Sequence, residues 1–265
     1  MSEKMITQPK LTKLWNPSDG QMRVAGLMSG SGTNLEELIK LERKLESQFE
    51  KSPFEVVLVY GTNSKCNALQ IGKKFDITAH VESYRDSLHG RAYGDMEART
   101  EYDMKTVKKL NEDGVHFIAY GGYMLIATPV LVNSILGVNV HPANLSIEEH
   151  GVRKYTGADA VAKAIRAGEK ELRSTTHIMT EKVDDGPLIF ISPPLPVELP
   201  PNFDKDNLEM VARISGEHKD KLKKVGDHII FPRTVLDTAL GRIAKDETGL
   251  MYYDGKAIPY GHLVG

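Results

Sequence analysis

RVAGLMSGSGTNLEELIKL, residues 23–41, decides the fold. Its apolar run, Val24 to Met28, has the length of a strand buried on both faces and is too short for a helix. The run ends in Ser29-Gly30-Ser31-Gly32, where the glycines permit a tight turn. From about Thr33 the apolar residues Leu35, Leu38, Ile39 and Leu41 recur at helical spacing. Strand, glycine turn and helix in this order form a unit in which the first N–H groups of the helix point back at the turn, a seat for a phosphate. A dinucleotide fingerprint would need a third glycine where Leu35 stands, and the lysine spacing of an ATP-binding phosphate loop is also absent.

Working outward, short apolar runs continue to alternate with helical periods. Strands are expected at 55–60, 77–81, 115–120, 138–141, 174–180 and 188–191, and helices near 68–74, 99–112 and 158–167. That alternation predicts an α/β chain, with a Rossmann-like, mostly parallel sheet flanked by helices. The proline-rich stretch 193–202 reads as an extended connection into a long helical region over 207–244. MYYDGKAIPY, residues 251–260, reads as a hairpin turning at Asp254-Gly255. Residues 1–22 are polar and read as an extension that Trp15 pins to the body. Residues 23–265 read as one domain, with a phosphate-binding half over about 23–125 and a second half over about 126–265.

At 265 residues and 40% hydrophobic composition the chain can bury a full core. A net charge of -2 and a pI near 6.5 give no global basic field, so small molecules rather than nucleic acid are the expected partners. A lone Cys66 and a start without a continuous apolar run fit a reducing, cytoplasmic compartment. No apolar stretch approaches the roughly 20 residues of a bilayer-spanning helix, so no membrane role is expected. The run EHKDKLKK, residues 217–224, reads as a solvated helix face.

Two further motifs carry chemistry. In GVNVHP, residues 137–142, strand alternation puts Asn139 and His141 on one face near the C-terminal end of the strand, the edge where open α/β sheets bind ligands. In STTHIMTEKVDDGPLI, residues 174–189, Thr175 and His177 alternate on a strand and Asp184 sits in the turn before Gly186-Pro187. Any one of these is compatible with a purely structural role. Their ordered combination is more specific. The remaining histidines show no metal-ligand spacing, and no metal is expected.

Taken together, the SGSGTNL turn, the NVHP tetrapeptide and the HIMTEKVDDGPLI segment resemble the folate-dependent formyltransferases over about residues 23–260. The resemblance implies that Asn139, His141 and Asp184 are catalytic, supported by Thr175 and His177. It implies 10-formyltetrahydrofolate as formyl donor, with Met124, Leu125, Ile126 and Ala127 on one side of its pterin and Thr180, Glu181 and Val183 on the other. Leu125 stands where similar enzymes carry an arginine, which removes one contact to the folate tail. Gly32, Thr33, Asn34, Arg99, Lys224 and Asp227 would hold the phosphate and ribose of an acceptor amine, for which the resemblance implies glycinamide ribonucleotide of purine synthesis. Asp227 stands where the family carries a glutamate. The loop after Pro142 and residues 84–98 depart from the family pattern, so another phosphorylated amine stays open as acceptor. The same three catalytic residues also suit a formyltetrahydrofolate deformylase, which passes the formyl group to water. A monomer or homodimer is compatible with either.

Overall fold

The computed structural model describes residues 9–265. Eight strands form the central sheet: β1 (Met22–Met28), β2 (Phe54–Gly61), β3 (Thr78–Val81), β4 (Phe117–Tyr120), β5 (Gly137–His141), β6 (Thr175–Ile178), β7 (Leu188–Ile191) and β8 (His262–Leu263). Across the sheet they run β8-β7-β6-β5-β4-β1-β2-β3. The five from β5 to β3 are mutually parallel; β6 is antiparallel to both β5 and β7. The helices are α1 (Thr33–Phe49), α2 (Ala68–Phe75), α3 (Met96–Glu112), α4 (Ala160–Arg166), α5 (Leu208–Leu222) and α6 (His228–Ala239). The expected α/β fold is therefore observed.

Alternation along β1 explains the two layers. Met22, Val24 and Met28 join a core with Leu35, Leu38 and Ile39 of α1 and Ile230, Phe231 and Val235 of α6. Ala25 and Leu27 face the opposite way, into a core with Tyr102 and Leu110 of α3 and Leu131. A strand covered on both faces reads as a continuous apolar run, as 24–28 does. Gly26 and Gly121 bring α1 close to the sheet, because a Cβ at either would stand 2.7 or 2.9 Å from the Leu35 side chain. The chain leaves β1 toward β2 on one side while β4 lies on the other, so a crevice opens between the C-terminal ends of β1 and β4.

Several elements differ from expectation. The helical region after 207 is broken. A π turn over Lys223–Asp227 separates α5 from α6, and Ile243–Lys245 is a strand. Pro232 has no N–H for the carbonyl one turn back, so a continuous ladder through this region is impossible, and the wider turn absorbs the break. The strand at Ile243–Lys245 pairs with Met251–Tyr253, which turns at Asp254 (φ 48°) and Gly255 (φ 76°) into Lys256–Ala257, the expected hairpin. Thr12–Lys13 pairs with the other edge of that strand, and Trp15 stacks on His116 at 4.9 Å.

On α1 the buried stripe continues to Glu42, not Leu41. Leu41 is half-buried and Glu42 is fully buried. Among the described residues neither carboxylate oxygen finds a well-aligned hydrogen bond, and the nearest cation, Arg43, stands 3.9 Å away. Burial pushes the Glu42 carboxyl up to about 7, opposed more weakly by the Val56 backbone and Arg43. A raised carboxyl favours the fold while it is protonated. Stability is full below the ordinary glutamate value and declines as pH rises through about 7. Replacing Glu42 by Gln should remove that decline, worth about 3 kcal/mol above pH 8. Urea denaturation at pH 5 and pH 8.5 measures it, and equal pH slopes for both proteins would refute it.

Candidate active site

A cavity of about 580 Å³ fills the crevice at the strand ends. Three groups of residues line it. Ser29 to Asn34 form the glycine turn, and Lys219, Lys223 and Asp227 face it from α5 and the π turn. Tyr123 to Ala127, after β4, and Met179 to Asp184, after β6, form a second wall. Asn139, His141 and Gly157 line it as well.

Gly32 takes φ 72°, and a Cβ there would collide with the ends of Ile71 and Met28. The turn is therefore open only to glycine at this point, and the amides that begin α1 are left facing the cavity. Asn34 Nδ2 donates to Asp227 Oδ2 at 3.2 Å, and Ser174 Oγ donates to Asp227 Oδ1 at 2.5 Å. Burial lifts the Asp227 carboxyl above its ordinary value while these two donors oppose the shift. The turn and the α5–α6 junction are thus tied into one wall.

At the centre, Asn139 and His141 leave β5 on the same face, and β6 pairs His177 opposite Asn139 and Thr175 opposite His141. The Ile178 carbonyl can only accept, so His177 Nδ1 carries the proton at 2.9 Å, and Nε2 accepts from Asn139 Nδ2 at 3.1 Å. Asn139 keeps a second N–H for the cavity. Thr175 accepts from the Leu145 amide at 3.1 Å and donates to the Ala143 carbonyl at 2.7 Å, fixing the chain after Pro142.

Asp184 stands at φ 54°, in the left-handed region that aspartate tolerates better than most residues. Its Oδ2 accepts from the Gly157 amide at 2.8 Å and lies 3.3 Å from His141 Nδ1; Oδ1 lies 3.5 Å from His177 Nε2. Burial opposes its charge, yet the Gly157 amide, and either imidazole when it presents a proton to the carboxylate, outweigh burial and hold the carboxyl down at about 2. Burial pulls His141 below the ordinary imidazole value, with Asp184 and the Tyr155 carbonyl pushing the other way. Desolvation of a nearly buried ring is larger than the attraction of one carboxylate. His141 Nε2 donates to the Tyr155 carbonyl at 2.8 Å, so neutral His141 turns the bare Nδ1 toward a carboxylate. One proton at Nδ1 would complete that contact.

Every residue of the two expected pterin-side loops lines the cavity: Met124, Leu125, Ile126 and Ala127 on one, Thr180, Glu181 and Val183 on the other. So do Gly32, Thr33, Asn34 and Asp227. Two expected substrate contacts fall elsewhere. Lys224 is exposed and does not line the cavity, whereas Lys223 does. Residues four apart nearly share a face in a π turn, so Lys223, not Lys224, stands beside Asp227. Arg99 is buried behind the loop after β4, where Nε donates to the Ile126 carbonyl at 2.6 Å and Nη2 pairs with Asp103 at 2.6 Å and with the Tyr123 hydroxyl. The 217–224 run is likewise not wholly a solvated face. Lys219 and Lys223 reach the cavity, and their four-residue spacing, continued to Asp227, is a signal the residue types alone conceal. The Tyr155 carbonyl and Gly157 amide, as backbone groups, leave no such mark.

A family profile described as formyl transferase matches residues 22–209. The chain belongs to the formyl transferase family. It is 30% identical over 224 residues to the trifunctional purine biosynthetic protein adenosine-3 of Chironomus tentans, covering 83% of this chain but 14% of that one. The chain thus spans about a seventh of that relative's length. It is 26% identical to the phosphoribosylglycinamide formyltransferase of Haemophilus influenzae, covering 89% of this chain and 96% of the relative. Among solved structures, the phosphoribosylglycinamide formyltransferase of Coxiella burnetii shares the fold, with a TM-score of 0.67 at 23% identity over 93% of this chain and all of the other. Within this formyl transferase, Asn139, His141 and Asp184 line one cavity together with the glycine turn and the loops after β4 and β6.

Proposed function

We propose that the protein transfers the formyl group of 10-formyltetrahydrofolate to the primary amine of glycinamide ribonucleotide. The observation that carries this reading is that Asn139, His141 and Asp184 line the same cavity as the glycine turn and the loops after β4 and β6, so that two different molecules can meet over them. The relatives named above, from a curated purine enzyme and a phosphoribosylglycinamide formyltransferase, support the acceptor.

In this reading the phosphate rests on the Gly30–Asn34 turn and Lys223, and Asp227 faces the ribose or the amine. The pterin lies between residues 124–127 and 180–183. The amine nitrogen attacks the formyl carbon, a C–N bond forms, and the carbonyl electron pair moves onto oxygen. The free N–H of Asn139, oriented by His177, donates to that oxygen. The attacking nitrogen then carries a surplus proton. His141 Nδ1, neutral at rest and facing Asp184, receives it, and the carboxylate stabilises the resulting imidazolium. As the carbonyl reforms, the bond to N10 of the folate breaks and the proton passes to that nitrogen. The products are the formamide and tetrahydrofolate.

The acceptor half is tested by comparing glycinamide ribonucleotide with its dephosphorylated nucleoside while formamide is measured by mass spectrometry. Loss of the phosphate should reduce kcat/KM by about 100-fold or more, as expected for two or more charge-assisted contacts. Equal efficiency would sink the assignment of the glycine turn.

A further inference from the structure

We infer that Arg153, on the short hairpin that follows Pro142, is a positioning residue for Asp184 and holds its carboxylate against His141. This rests on the proton path proposed above and adds what keeps one of its members in place.

The hairpin lies in the loop whose sequence departs from the family pattern. Glu148–Glu149 and Val152–Arg153 pair antiparallel, with Arg153 opposite Glu148. His150 (φ 53°) and Gly151 (φ 75°) make the two-residue turn between them. The chain is anchored on both sides of it. Before it, the Leu145 amide donates to Thr175 of β6 at 3.1 Å; after it, the buried Tyr155 ring joins a core with Ala143, Val161 and Ile165.

From this base three alternate residues reach the reacting pair. Arg153 is half-buried, and its Nη1 donates to the Asp184 carbonyl at 2.5 Å. The Tyr155 carbonyl accepts from His141 Nε2 at 2.8 Å, and the Gly157 amide donates to Asp184 Oδ2 at 2.8 Å. One segment therefore sets both the ring and the carboxylate, which stand 3.3 Å apart.

Asp184 needs that hold, because φ 54° is disfavoured for a residue with a side chain. The ends of its loop are fastened to the sheet. The Met179 amide donates to the Gly137 carbonyl at 2.9 Å, and the Ile178 amide to the Pro187 carbonyl at 3.0 Å. Between them Glu181, Lys182 and Val183 are exposed. A charged donor on the Asp184 carbonyl fixes the peptide that follows it, so the backbone cannot relax and swing the carboxylate away from His141. The contact is one N–H to one oxygen and makes no use of the planar guanidinium fork, so a lysine can replace it.

The charged and titratable groups facing His141 are Asp184, His177 and Lys219; those facing Arg153 are Asp185, Glu148 and Asp184. The test measures kcat, both KM values and the low-pH limb of activity on the intact enzyme, with 10-formyltetrahydrofolate and glycinamide ribonucleotide. Arg153→Ala should lower kcat by about 10- to 100-fold, the cost of a small misplacement of a catalytic group, with each KM within about threefold. Arg153→Met, which keeps the stem, serves if the alanine variant does not fold. Arg153→Lys should stay within about fivefold of wild type. The limb of Arg153→Ala should move down, as in Asp184→Asn, because the carboxylate that raises His141 is displaced. In an Asp184→Asn background Arg153→Ala should cost less than about threefold more, since both changes remove the same contact.

Wild-type kcat in Arg153→Ala overturns the inference, and so does an upward limb, the sign of a lost cation. Full multiplication of the two losses, or failure of lysine to restore kcat, marks a role in folding alone and also overturns it. If Asp184→Asn itself keeps kcat within tenfold of wild type, the proton path fails. An impaired Asp184→Asn beside an unimpaired Arg153→Ala removes only this inference.

Discussion

Asp184→Asn should lower kcat by about 100- to 10,000-fold while KM for both substrates changes little, the range for losing a positioned acid–base partner. Asparagine keeps the acceptor for the Gly157 amide and nearly the same volume, so the turn at φ 54° persists and only the charge is lost. The pH dependence adds an independent sign. His141 must be neutral to receive the amine's proton, so activity falls at low pH as its ring protonates. In the wild type burial already places that limb below the ordinary imidazole value. Asp184 is the main group raising His141, so its neutralisation moves the limb further down. Initial rates between pH 4.5 and 8 measure both effects. A kcat within tenfold of wild type, or a limb displaced upward, would remove Asp184 from the proton path.

Asn139→Ala should cost about 100- to 1000-fold in kcat, the usual loss for one oxyanion donor, with little change in either KM. The side chain is held by His177 Nε2 at 3.1 Å, and His177 by the Ile178 carbonyl at 2.9 Å, so the second N–H meets the developing oxygen without reorganisation. Steady-state kinetics on both substrates separates this from a binding defect. Unchanged kcat with a raised KM would assign Asn139 to ground-state binding.

The first strand, turn and helix were legible because three local rules agree there: a continuous apolar run, a glycine at 32 where φ is positive, and a helical stripe. The stripe failed only at its end, where geometry buries Glu42 in preference to Leu41. Asn139 and His141 were legible because a period of two fixes their common face. That β6 would bring His177 opposite Asn139 is a fact of strand pairing, and spacing alone does not state it. Lys224 was misplaced because a π turn changes which residues share a face, and residue types do not announce a π turn. Arg99 was misplaced for a different reason. A charged residue on a helix next to a ligand loop looks like a contact, and only the tyrosines at 84, 102 and 123, drawn from three parts of the chain, turn it inward.

In the proposed reaction the formyl group leaves the folate because an amine attacks it in this cavity. The most direct measurement is tetrahydrofolate release from 10-formyltetrahydrofolate with and without saturating glycinamide ribonucleotide. Release should depend on the amine and match formamide one for one. Release at the same rate without the amine, with formate as the product, would contradict it and identify a hydrolase.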